Sequence, residues 1–586
     1  MRATVTAVRW GCLYALLSSA VQCAHGAADQ IPLKTPNAPK SGKTKTIITP
    51  AVSDFVERIL HVSSIPGLSM GVVRLGEDKQ PVVELATWGN RTEEDNGADL
   101  TSDTLFAIAS CSKAFLVTSI GLLIDDFAHG RNVTPLPAGA PPLQWDSKFY
   151  DLLPGEHDFS YAPGDTTADL LRRLKHLSPG FELREKWAYN NQAFMIGPHL
   201  IEKLSNTSYP DFVTSRILKP LNMSSTFFSP STANATGRLT QSWTRGTRRI
   251  PFVFSEEASA LFAGAGGIIT TAEDMVKWVT MLLNGGVDPY TNQTVLPPSV
   301  LTEMMTARAI VSGEPQGPLG IMGYGMGWFR MAYRGHDVVW HFGAIPGFSA
   351  LVALLPAENL GVVQLVNMDE KQNDNLGVLF RIIDEALDLP PLDGAATLPV
   401  NFQYTTDLTA HSPPSTTKDG GSSTQAGPDI AAFAGTYEDP AYGRITFCAP
   451  SSTSSYCAAV LADFAPIIGA SPNSDVRANA TDSIYAAWPR VWSSHVRMTR
   501  SAPSTATTTF RVVLPKLFPR GYGRDGTPFE FQDSVMSVGR AEFVVDEESG
   551  AVEGFALVTD ELAAAGRGAR GAGVREVGDV WFVKVA

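Results

Sequence analysis

Cysteine is scarce in this chain, and no metal-ligand pattern accompanies it. The 586 residues hold five, at positions 12, 23, 111, 448 and 457. There is no Cys-x-x-Cys pair, and the ten histidines are scattered with no His-Glu-x-x-His. A zinc site therefore has no ligand set to build on. A P-loop and a clean Gly-x-Gly-x-x-Gly are also missing, so no cofactor and no metal are expected. Positive charge is in deficit: 46 Lys and Arg face 59 Asp and Glu, a net charge of −13. That excludes a nucleic-acid partner, because phosphate contacts need Lys and Arg. Past the N-terminus no stretch reaches the roughly 18 uninterrupted apolar residues of a membrane span. A hydrophobic share of 44% with 18% charged residues excludes a disordered chain and a collagen-like repeat. Glycine (51) and proline (40) are plentiful, so turns and loops abound.

The first residues have the make-up of a secretory signal. Arg2 and Arg9 supply positive charge, no acid precedes Asp29, and Trp10 to Ala24 is apolar but too short to span a bilayer. Ala24 and Gly26 are the small residues before a cut, giving a signal over 1–26 and a secreted, extracellular protein. Cys448 and Cys457 flank a short Ser-rich stretch and suit a disulfide in an oxidising compartment. Cys111 lies in an apolar run and is expected as a buried free thiol. Seven Asn-x-Ser/Thr sequons are candidate glycan acceptors: Asn90, Asn132, Asn206, Asn222, Asn234, Asn292 and Asn479.

Composition divides the rest. Residues 27–48 are polar and aperiodic, a flexible leader. Residues 49–388 are densely patterned. Strands are expected at Pro66 to Leu75, Gln80 to Trp88, Val338 to Trp340, Ser349 to Leu355 and Leu360 to Val366. Helices are expected at Ser110 to Phe127, Asn190 to Leu204, Ala272 to Leu283 and Asn375 to Leu387. Residues 389–430 are rich in Pro, Gly, Ser and Thr and form a linker. Residues 431–586 show short alternating segments, among them Gly443 to Cys448, Thr508 to Leu514, Ala541 to Val545, Gly554 to Val558 and Val580 to Val585. They predict a small all-β barrel.

Two serine patterns compete for chemistry. Gly67-Leu68-Ser69-Met70-Gly71 matches a nucleophile elbow, which works only on a strand-to-helix turn. Here it runs on into Val72-Val73 and a hairpin, so it is read as strand. Ser110-Cys111-Ser112-Lys113 opens an apolar helix, where residues three apart share one face. A serine hydroxyl needs a nearby base, and a desolvated lysine serves as one. The second Ser-x-x-Lys, Ser415 to Lys418, lies in the linker, where nothing fixes its geometry. Tyr189-x-Asn191 precedes another apolar helix. His341-x-Gly343 lies between two strands, and a Gly beside a strand end lets a ligand approach the backbone.

Ser110-x-x-Lys113, Tyr189-x-Asn191 and His341-x-Gly343, in that order, resemble the serine β-lactamase and penicillin-binding-protein superfamily, most closely its class C β-lactamase and D-alanyl-D-alanine carboxypeptidase branch. Flanking text agrees: Leu105 to Ala109, Ala265 to Met275 and Tyr324 to Trp328. The resemblance covers about residues 50–388. It implies an α/β (α+β) fold: an antiparallel sheet with flanking helices and a helical subdomain. The tail, opening at Gly435-Thr436-Tyr437, resembles a lipocalin-like domain. The resemblance further implies Ser110 as the acylated nucleophile and Lys113 and Tyr189 as the proton-transfer pair. Asn191 would orient the lysine or the substrate. The N–H groups of Ser110 and Ala344 would form the oxyanion hole. One departure matters: His341 stands where antibiotic-hydrolysing members carry lysine, and histidine is mostly neutral near pH 7 yet switches charge with small shifts. That weakens a carboxylate-ended or β-lactam substrate and favours a secreted hydrolase of small-molecule or peptide esters or amides. The alternatives are a true β-lactamase or carboxypeptidase, or a non-catalytic scaffold whose barrel holds a lipid-like ligand in an apolar cavity.

Overall fold

The computed structural model describes residues 45–585, apart from 95–97, 137–141, 146–160, 175, 177–186, 393–427, 471–478, 502–507, 533–537 and 547. The signal, most of the leader and most of the linker lie outside the described residues, as do Cys12 and Cys23. Thr46–Ala586 form one compact unit.

Its larger sheet has eight strands. They are β1 (Gly67–Leu75), β2 (Pro81–Gly89), β3 (Ala309–Ser312), β4 (Met322–Tyr324), β5 (Phe329–Tyr333), β6 (His336–Ile345), β7 (Phe348–Leu355) and β8 (Leu360–Val366). Their order is β2-β1-β8-β7-β6-β5-β4-β3, with antiparallel pairing throughout. The two ends of the segment thus meet in one sheet. Strands β7 and β8 are buried at every position, which suits near-continuous Val/Leu runs covered on both faces. On one face lie α1 (Pro50–Val62) and the C-terminal helix, here α6 (Gln372–Ala386). Against the other pack α2 (Lys113–Ala128), α3 (Asn191–Ser205), α4 (Glu256–Leu261) and α5 (Ala272–Leu283).

The second sheet also has eight strands: β9 (Gly435–Asp439), β10 (Gly443–Phe447), β11 (Ser483–Ala487), β12 (His495–Arg500), β13 (Thr508–Val513), β16 (Val538–Val545), β17 (Val552–Val558) and β18 (Val580–Lys584). The order is β10-β9-β18-β17-β16-β13-β12-β11, and a Cys448–Tyr485 bridge joins its two ends into a nearly closed barrel. A side hairpin, β14 (Lys516–Phe518) with β15 (Phe529–Phe531), projects from it. The interior is filled by aromatic rings. Phe543 lies 4.9 Å from both Phe510 and Phe555, and Phe555 stacks on Phe582 at 4.7 Å. Among the described residues these rings form the buried core of the barrel.

Two sequence expectations need correction. The C-terminal segment is not all-β, because α7 (Ser455–Ala470) is inserted between two barrel strands. Cys457 therefore lies in a helix, not at the end of a loop. It is bonded to Cys448, with Cα atoms 5.4 Å apart. The leader also ends before residue 48. Ile47 is buried, and the N–H groups of Ile47 and Ile48 donate to the Glu84 carboxylate at 2.8 and 2.9 Å. Thr49 then caps α1, with Pro50 in its first turn.

Candidate active site

The turn that carries Ser110 is built by sharp backbone geometry. The short strand Phe106–Ala107 gives way to a 3₁₀ turn, Ala109–Ser112, which runs into α2. At the bend Ala109 has φ of 45°, a left-handed conformation that costs a residue with a Cβ about 1–3 kcal/mol. Neighbouring chain holds it there. Ile108 N–H donates to Ile268 O at 3.0 Å, and Ile268 N–H donates to Ser112 Oγ at 3.2 Å. Strand β6 presses from the other side, where a Cβ on Gly343 would meet Ile108 O at 2.1 Å. This explains the glycine of His-x-Gly: only a residue without a side chain lets the strand seat against the turn.

Ser110 is partly exposed, while Lys113 is completely buried beneath it. Lys113 Nζ lies 2.9 Å from Ser110 Oγ, 2.7 Å from Asn191 Oδ1 and 2.8 Å from Ala265 O. An ammonium group donates to all three. A neutral amine keeps two N–H bonds for Asn191 and Ala265 and turns its lone pair to the serine hydroxyl. The geometry thus suits both states of a proton carrier.

Tyr189 and Asn191 arrive together at the start of α3. Asn190 caps the helix by accepting from Ala193 N–H at 3.0 Å. Asn191 is thereby placed in the first turn, with Tyr189 just outside it. The Tyr189 ring is buried, and Lys113 Nζ lies 4.8 Å from its centroid. Such a cation–ring contact adds about 0.5–2 kcal/mol of attraction to the charged amine.

His341 is fully buried on β6. Its Nδ1 is 2.6 Å from Phe342 O, so it must be the protonated nitrogen, and Nε2 is left to accept from Tyr324 Oη at 3.4 Å. Burial, and then the Lys113 charge, push its pKa down to about 3. The ring is neutral over the ordinary pH range. The expectation of a ready charge switch is therefore corrected: no small shift returns this pKa to neutral pH. Past Trp340, β6 has no further pairing with β5 among the described residues. Ala344, opposite Ser349 and partly exposed, is on this open stretch. Ile345 and Phe348 close a two-residue hairpin, so alternation of the ladder turns the Ala344 N–H away from β7.

The remaining residues singled out in the sequence lie elsewhere. Ser69 is buried in the middle of β1, paired with Thr87 and Leu365, and no helix follows it. Cys111 is a buried free thiol whose pKa burial raises to about 12. Among the sequons, Asn90, Asn206, Asn222, Asn234 and Asn292 are exposed, while Asn132 is half-buried. Asn206, Asn222 and Asn292 have positive φ, which asparagine tolerates better than most residues, so backbone shape alone accounts for asparagine at those three positions. Asn479 lies in a short 3₁₀ turn before β11. Two partners escaped the sequence reading: the Ala265 carbonyl and the Tyr324 hydroxyl. Both lie in stretches that resemble the superfamily, but a backbone oxygen has no side-chain signature.

A Ser-x-x-Lys turn, a Tyr-x-Asn helix start and a His-x-Gly strand converging beside an antiparallel sheet define the β-lactamase-like class of fold. The family described as Beta-lactamase matches residues 136–384, a span that includes the Tyr-x-Asn and His-x-Gly motifs and starts after Lys113. The unguisins hydrolase UngD′ of Aspergillus campestris is 28% identical over 387 residues, covering 60% of this chain and 68% of that protein. Protein Flp of Staphylococcus aureus is 24% identical over 346 residues, covering 55% of this chain and 63% of that protein. A class C β-lactamase from Rhodobacter sphaeroides overlays with a TM-score of 0.44 at 19% identity, covering 58% of this chain and 100% of that one. Over residues 136–384 the chain thus matches the Beta-lactamase family, and it is similar to proteins named as hydrolases.

Proposed function

We propose that this chain is a secreted serine hydrolase that cleaves or transfers ester or amide bonds through an acyl-enzyme on Ser110. The observation that carries the reading is the buried Lys113 amine, fixed by Asn191 and Ala265 and lying 2.9 Å from the Ser110 hydroxyl. In attack, Oγ bonds to the substrate carbonyl carbon while its proton passes to the neutral lysine. The carbonyl π electrons move to oxygen, and the oxyanion is received by the N–H groups of Ser110 and Ala344. The tetrahedral adduct collapses, the C–O or C–N bond breaks, and the leaving group takes a proton from Lys113, or from Tyr189 beside it. Water then adds to the acyl-enzyme, giving the acid and free serine. Another alcohol or amine in place of water gives transfer.

The buried, neutral His341 favours substrates without a carboxylate at this position, because it brings no fixed positive charge. This argues for the ester and amide reading over the β-lactam one. UngD′ is named for unguisins, and that substrate is its own. The working organisation is a hydrolase unit over 49–388 joined by a linker to a barrel over 431–586. Secretion is supported by the composition of residues 1–26 and suits the Cys448–Cys457 bond.

A fluorophosphonate probe should label wild-type protein at one site, and Ser110→Ala should abolish labelling and the turnover of p-nitrophenyl esters and D-amino-acid amides. Lys113→Ala should slow acylation about 10²–10⁴-fold, the usual contribution of a positioned proton-transfer group. Labelling that persists in Ser110→Ala, or maps to Ser69, overturns the assignment.

A further inference from the structure

The barrel segment reaches into the core of the hydrolase segment through one loop. Val491 and Trp492, which precede β12, are buried in the same apolar cluster as Phe115, Phe194 and Phe262. Val491 N–H donates to Tyr161 O at 3.0 Å, which pins the loop across the interface. The Trp492 ring lies edge-on to Phe262 at 5.1 Å and 5.5 Å from Phe254, while Phe254 stacks on Phe262 at 5.3 Å. Tyr161 covers Phe262 from another direction at 5.6 Å.

Phe262 ends α4 and opens the turn that holds the lysine. Its carbonyl accepts from Ala265 N–H at 2.9 Å and from Gly266 N–H at 2.7 Å. Ala265 O, on that tight turn, is the acceptor 2.8 Å from Lys113 Nζ. Gly264 and Gly267 make this turn possible: a Cβ on the first would meet Phe194 O at 2.4 Å, and one on the second would meet Ser259 O at 2.8 Å. A glycine-rich turn has little stiffness of its own, so its shape must be set by what packs on it. The indole N–H of Trp492 finds no acceptor among the described residues. The ring's contacts are with the aromatic rings of Phe254 and Phe262, so shape and bulk are what it brings to this turn.

We infer that Trp492 is a positioning residue for proton transfer. It fixes Phe262, Phe262 fixes the Ala265 carbonyl, and that carbonyl aims the Lys113 amine at Ser110. The inference rests on the acyl-enzyme reading above, and one set of measurements separates the two. Labelling of the full-length chain by the fluorophosphonate probe is resolved into kinact and KI. Trp492→Leu should lower kinact about 10–100-fold with KI unchanged, since a misplacement near 1 Å costs up to about 10²-fold. Trp492→Phe should recover all but about fivefold. In a Lys113→Ala background Trp492→Leu should cause no further loss, because the two residues act in one chain. If the leucine variant does not fold, the same cycle with Trp492→Phe decides the matter: a loss of about two- to fivefold that vanishes without Lys113 supports the inference. Losses that multiply across the cycle, an unchanged kinact, or a raised KI with kinact retained each overturn the inference. Failure of Ser110→Ala to remove labelling overturns the acyl-enzyme reading instead.

Discussion

His341 shows how far one residue's setting departs from its reference behaviour. An unperturbed histidine titrates near 6.5, while this one is pushed to about 3 by burial and by the Lys113 charge. The unfolded chain then binds the extra proton between these two values. Its contribution to stability is complete above about pH 6.5 and is lost as pH falls towards 3. His495, also buried with a lowered pKa, acts in the same direction. Urea midpoints measured from pH 7 to pH 4 should fall, and His341→Asn, which keeps a donor for Phe342 O, should flatten that slope. An equal slope in both proteins would mean that the ring is not buried neutral. The sequence identifies Ser110, Lys113, Tyr189, Asn191 and His341 because each motif has a side-chain signature. It cannot register the depth of His341, which depends on Phe329, Phe342 and Tyr324 folding around it.

Elements with a single strong period are legible almost to the residue. Ala272–Leu283 and Leu360–Val366 have the bounds expected from the sequence. Helix α1 also carries its signals in the sequence, though they are not among the helices expected above: Thr49 and Pro50 mark its start, and Val52, Val56, Ile59 and Leu60 repeat at helical spacing. Helix α7 is harder. It is apolar on most sides, carries Pro466 in its interior and follows a Ser-rich stretch, so its pattern has no clean face. The Cys448–Cys457 bond ties its first turn to the end of β10 across nine residues. Closing a loop of that size stabilises by about 2–3 kcal/mol in the chain-entropy account. Replacing both cysteines with serine should lower the denaturation midpoint of the barrel by a corresponding amount, while Ser110 labelling stays intact. Loss of labelling would mean that the bond also supports the catalytic side.

At the scale of the whole molecule, composition suggests two segments and a linker but cannot reveal how they dock. That depends on residues far apart in sequence. Arg248 Nη2 donates to Thr527 O at 2.7 Å, and Ile250 packs with Phe518 and Phe531 of the side hairpin. Because Val491 and Trp492 fill the apolar core beside the larger sheet, a chain ended at residue 392 should melt well below the full-length protein and expose apolar surface to a dye such as ANS. An equal melting temperature would show that the loop contributes little to that core.

Shared core residues also restrict how such a protein can be recombined. A barrel exchanged at the linker would arrive without the indole that the Phe262 turn packs against, unless its own loop supplied one. The unit that can be inherited intact is therefore larger than either sheet: it is the first sheet together with the 490–492 loop and the barrel strand that carries it.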